Sequence, residues 1–116
     1  MTLQEQILRE TELFSGYLSQ EDTECAENLI YAVVPYLRAR LRSDVVEEEI
    51  LPTFISAAAL LTLSMLEAAK LDGLQTLSAG TMQLNFNAQN DRRVRLAFVM
   101  LAPFSKEGIA FRGVAT

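Results

Sequence analysis

The thiol of Cys25 and the run Glu47, Glu48 and Glu49 are the side chains of this sequence that come nearest to catalytic chemistry. Cys25 follows Glu21, Asp22 and Glu24 at the start of a helical pattern. Those carboxylates disfavour a thiolate while a helix N-terminus favours one, and the thiol reads as a bystander. Three adjacent carboxylates on a helix fan across roughly 200° and do not converge on one ion. They suit the positive end of a helix dipole instead. The chain has no histidine, which removes the commonest general base, the commonest metal ligand and any histidine-based triad. A single cysteine supplies too little sulfur for a zinc site and allows no intrachain disulfide. The segment Leu77-Ser78-Ala79-Gly80-Thr81 has one glycine and no following lysine, so it is no P-loop, and Ser78 and Thr81 read as turn residues. An enzyme made from this chain would have to work with carboxylates, Lys70, Lys106 and hydroxyls. The expectation is a protein without catalytic, cofactor-binding or metal-binding residues.

Two basic clusters remain, Arg38, Arg40 and Arg42, and then Arg92, Arg93 and Arg95. On helices, Arg38 and Arg42 share a face while Arg40 turns away, and Arg92 and Arg95 share another with Arg93 beside them. Without interleaved aromatics they make a weak nucleic-acid signal, and the net charge of -5 argues against nucleic acid as the main partner. The opening of the chain is acidic: Glu5, Glu10, Glu12, Glu21, Asp22, Glu24 and Glu27. This polarity either marks two solvated faces or orders identical subunits head to tail.

These residues have to be positioned by one domain, residues 1–116, half of it apolar. No basic-then-apolar start reads as a signal peptide. The most apolar run, Phe54 to Ala69, is interrupted by Ser56, Thr62, Ser64 and Glu67 and falls short of the ~20 residues that span a bilayer. A soluble protein made inside the cell and without a membrane partner is expected.

A first helix is predicted from about Leu3 to Phe14, with Leu3, Ile7, Leu8 and Phe14 as its apolar stripe and Gly16 as its stop. Ala26, Leu29, Ile30, Val33, Leu37 and Leu41 mark a second helix, in which Pro35 predicts a kink or a break. A third opens either at a Ser43-Asp44 cap, with the three glutamates in its first turn, or at Pro52. It is apolar nearly all round, so it is either central or packed against a neighbouring subunit as well. Asp72-Gly73 ends it. A last helix, capped by Asn90, carries Val94, Ala97, Phe98 and Leu101 on one face and stops at Pro103. Ile109, Phe111 and Val114 then read as a short extended tail.

Between the last two helices the period changes. Met82, Leu84 and Phe86 alternate with Thr81, Gln83 and Asn85, and Gly80 offers a turn, so a β-hairpin is expected within 74–86. A hairpin alone is not stable in water, so it must lean on helices or on a neighbouring subunit. The expected fold is mainly α: a small helical bundle with an inserted β-hairpin before the last helix and a short extended C-terminal tail. Phe54, Phe86 and Phe98 keep register with the core, whereas Phe111 either folds back onto the hairpin or docks on a partner.

The C-terminal half resembles the head–tail connector (adaptor or head-completion) proteins of long-tailed bacteriophages and prophages. The parts alike are the Ala- and Leu-rich helix Ala57 to Ala69, the stretch Gly73 to Leu84, the helix Arg93 to Phe104 and the tail Ile109 to Val114. The resemblance implies a structural, non-enzymatic subunit that assembles as a homo-oligomeric ring below the portal protein and meets tail-completion proteins. It implies a place in the host cytoplasm during assembly and then in the virion neck. Its inter-subunit or partner contacts would be Leu77, Thr81, Met82, Leu84 and Phe86 of the hairpin, Leu60 and Leu63 of the long helix, and Phe111. The acidic opening and Pro35 have no counterpart in that pattern. The competing expectation is a small oligomeric helical regulatory or adaptor module, also without catalysis.

Overall fold

The computed structural model describes residues 1–71 and 92–106. They form four α-helices: α1 (Leu3–Ser15), α2 (Gln20–Arg40), α3 (Leu51–Leu71) and α4 (Arg92–Leu101). A 3-10 turn, Glu47–Ile50, leads into α3, and another, Ala102–Phe104, follows α4.

Each start has a local cause. The Thr2 hydroxyl accepts the Glu5 backbone N–H at 3.1 Å while the Glu5 carboxylate reaches back to Thr2, closing a capping box. Ser19 caps α2 by accepting the Asp22 N–H at 3.1 Å, and Glu21 and Asp22 sit in the first turn, where the helix dipole favours them. Gly16 ends α1 with φ 87°, and its N–H donates to the Glu12 carbonyl at 2.9 Å.

Pro35 neither breaks α2 nor restarts it: the helix runs unbroken from Gln20 to Arg40. Pro35 and Tyr31 both lie on the exposed side, so the carbonyl left without a helical donor faces solvent and not the core. The start of the third helix follows the second of the two expected openings, the one at Pro52, to within a residue. Glu47, Glu48 and Glu49 belong to the 3-10 turn, with no side-chain cap at Val46, and the α-helix proper opens at Leu51 with Pro52 in its first turn.

Helix α3 is the spine, packed against α1, α2 and α4. Ala57, Ala58 and Ala59 are fully buried on it, and such small side chains let the flanking helices come close. The main core gathers Ile7 of α1, Ile30, Val33, Val34 and Leu37 of α2, Phe54 and Leu61 of α3, and Val94, Ala97 and Leu101 of α4. A smaller cluster, Leu18, Cys25, Leu29, Leu63 and Leu66, closes the other end. The start of α2 therefore meets the end of α3, and the two run antiparallel. The stretch Glu47–Ala69 is long and apolar enough to cross a bilayer by length and composition, which corrects the shorter reading. Much of it is covered by the other helices, as a core helix is.

The mainly helical class agrees with the sequence, but the inserted β-hairpin is corrected. The described residues contain no strand, only one isolated antiparallel bridge between Leu41 and Ser105, and α4 packs directly on α3. Among the described residues no strand exists for a hairpin to join, and a hairpin by itself is not stable. The positions of that hairpin and of the extended tail lie outside the described residues.

Around the bridge, the Arg42 N–H donates to the Phe104 carbonyl and the Lys106 N–H to the Arg40 carbonyl, both at 2.9 Å. The Arg42 guanidinium adds a bond to the Pro103 carbonyl at 2.8 Å. The turn after α4 is thereby tied to the end of α2.

Candidate functional site

Two faces of the helical block carry chemistry that the core does not use. The first is a groove of about 420 Å³ between α1 and the first half of α2, lined by Thr2, Gln4, Glu5, Leu8, Glu27, Ile30 and Tyr31. Its floor is apolar, with Ile30 buried and Leu8 half-buried, while Glu5 and Glu27 are exposed on its walls. Tyr31 stands 63% exposed, one helical turn after Glu27 on the same side of α2. An acidic groove with an apolar floor and an aromatic wall suits a cationic side chain that has an aliphatic stem. Beyond it, α1 ends in exposed Leu13 and Phe14, and Tyr17 in the joint to α2 is exposed as well.

The second face is the outside of α4. Val94, Ala97 and Leu101 point into the core, leaving Arg92, Arg95, Leu96 and Val99 exposed at helical spacing. Leu96 and Val99 are each 50% exposed. This face is basic at its start and apolar toward its end. Arg93, at its margin, donates to the Glu67 carboxylate of α3. Helix α4 packs on α3 and meets the C-terminal end of α2, where Arg40 lies over Phe98, whereas the groove lies between α1 and the first half of α2.

The first arginine cluster is structural. The Arg38 Nε and Nη2 donate to the two Glu47 oxygens at 2.8 and 3.1 Å. That hydrogen bond, with the carboxylate's charge, raises the guanidinium above its ordinary value against a small desolvation cost. Arg42 bonds to Asp44 at 3.2 Å, and the Arg40 guanidinium lies over the rings of Tyr36 and Phe98, 4.8 and 5.6 Å from their centres.

Of the contact residues expected from the sequence, Leu60 and Leu63 are 7% and 2% exposed, covered within the single chain. They belong to the main and the smaller core respectively. Leu77, Thr81, Met82, Leu84, Phe86 and Phe111 lie outside the described residues. Cys25 is buried among Leu18, Leu29, Leu63 and Leu66. Among the described residues no three cysteine or carboxylate side chains come together to hold a metal ion.

The groove went unread in the sequence, although Tyr31 falls outside the register of Leu29, Ile30, Val33 and Leu37 and shares a side with Glu27. That offset is the signal from which its exposure could have been found. Comparison with family models, curated proteins and solved structures gives no match for this chain.

Proposed function

We propose that this protein is a structural subunit of a phage or prophage head–tail connector, one of many identical copies in a ring below the portal. The observation that carries the reading is a pair of unlike, oppositely charged faces on one subunit, the α1–α2 groove and the outside of α4. A cyclic ring needs two different complementary faces on every subunit, whereas a two-fold dimer needs one face that fits itself. The portal and the tail-completion proteins enter through the resemblance of the C-terminal half. Its Ala57 to Ala69 helix is the buried spine and its last helix is stopped before Pro103.

Apart from the Arg40 guanidinium, which tucks over Tyr36 and Phe98, no charged residue of the described block is buried, and its buried polar residues are Thr11, Thr62, Ser64 and Ser105. Charge placed this way serves recognition between proteins, since acid–base catalysis draws on groups shifted by burial. A regulatory or adaptor module is the second reading, favoured by Leu13, Phe14 and Tyr17, an exposed apolar cluster at the α1–α2 joint.

The genes on either side of this one separate the two. Portal, capsid and tail-tube genes are expected there. A metabolic operon or a lone regulatory gene contradicts the connector.

A further inference from the structure

We infer that neighbouring copies are joined by the outer face of α4 of one subunit seated in the α1–α2 groove of the next. The inference rests on the ring reading and names its contact. In this pairing Leu96 and Val99 cover the apolar floor made by Leu8 and Ile30. The Arg92 guanidinium lies between Glu5 and Glu27, against the Tyr31 ring.

Complementarity singles out this occupant. The groove is acidic with an apolar floor, and the α4 face is basic with an apolar end, so each supplies what the other lacks. An arginine suits the site better than a lysine, because its planar group can fork onto carboxylates and stack on tyrosine at once. Within one chain the two faces are apart: the groove opens between α1 and the first half of α2, whereas α4 packs on α3 and meets α2 at Arg40, near its end. The contact is therefore heterologous, and repeating it generates a ring or a filament.

Two experiments on the full chain test this. The first pairs Tyr31→Cys with Leu96→Cys in one polypeptide and oxidises it gently; buried Cys25 takes no part. A ladder of dimers, trimers and higher species is expected. Monomers alone, or a series that stops at dimers, would overturn the contact.

The second reverses charges one at a time with Glu27→Lys and Arg92→Glu. Glu5 is left alone because it closes the α1 capping box. Each substitution is expected to weaken self-association at least about tenfold. An equimolar mixture of the two variants should restore it, because the reversed groove of one accepts the reversed helix of the other. Circular dichroism identical to the native chain shows that the fold is kept.

Rings on the portal that ignore both substitutions overturn this contact and leave the connector reading standing. A native chain that stays monomeric and does not bind the portal overturns both.

Discussion

Arg38 at the end of α2 holds Glu47 in the turn before α3 through a forked pair of hydrogen bonds, 2.8 and 3.1 Å long. This clasp orients the Glu47–Ile50 turn, which in turn delivers Leu51 to the start of the central helix. Its side chains are half and one-quarter exposed, so solvent screens it and its contribution is about 0.3–1 kcal/mol. Arg38→Met should lower stability by that amount in urea denaturation, with the m-value unchanged. The pH behaviour follows from the raised Arg38 value. Its stabilisation is fully present below the guanidinium's ordinary value and fades only as strong alkali titrates the folded group. The difference between native and Arg38→Met proteins should therefore stay constant from neutral to mildly alkaline pH.

Arg40 joins α2 to α4 by lying over Tyr36 and Phe98. A flat guanidinium can face both rings, and an ammonium cannot match that geometry. Arg40→Lys keeps the charge, yet it should cost about 0.5–1 kcal/mol. Hydrogen exchange should speed up in α4 more than in α1. Equal protection of both helices in the native and substituted proteins would show that the stacking does not hold α4.

Thr62 is fully buried in α3, and its hydroxyl donates to the Ala58 carbonyl one turn back at 2.8 Å. That carbonyl also accepts the helical N–H, so removing the hydroxyl leaves no polar group stranded. Thr62→Val should change stability by less than about 1 kcal/mol. Thr62→Ser keeps the bond but opens a methyl-sized gap, at about 1 kcal/mol. The ordering of the two variants in thermal unfolding is the test. A valine variant clearly less stable than the serine variant would mean that the hydroxyl matters for more than this bond.

Gly16 has φ 87°, and a side chain there would meet no neighbouring atom within 4 Å. The penalty for alanine is conformational alone, about 1–2 kcal/mol. Gly16→Ala should lower the unfolding midpoint without disturbing the α3–α4 packing, as read by near-neighbour NMR shifts.

How much of this could be read from the sequence depended on whether the cause was local. The start of α1, the Ser19 region, the Gly16 stop and the Pro103 stop are written in neighbouring residues, and they lie where the capping chemistry predicts. Its apolar residues on all sides left α3 either central or shared with a neighbouring subunit, and within the chain it packs against α1, α2 and α4. Of the kink and the break that Pro35 left open, the break does not occur, because the effect of the proline depends on which side of α2 faces solvent, a tertiary fact. The first of the two openings offered for α3 failed for a similar reason: Arg38, nine positions earlier, holds Glu47 in a 3-10 turn before the α-helix. Arg40 was expected to turn away from its neighbours, and it does, onto Phe98 of a helix remote in sequence. Phe14 was counted with the apolar stripe of α1 but is exposed near the joint, while Thr11, a polar residue, is buried in its place. Its hydroxyl bonds to the Ile7 carbonyl, which makes a threonine tolerable there. The basic start of the α4 face was legible in Arg92 and Arg95, whereas the groove was not, because it is defined by what the core leaves uncovered.

Negative-stain imaging with light scattering, on the native chain mixed with a portal protein from the same genome, tests the connector proposal most directly. The account predicts an added ring of density on one end of the portal and a complex heavier than the portal by many copies of this chain. Bare portals beside a strictly monomeric 12.9 kDa protein would contradict it.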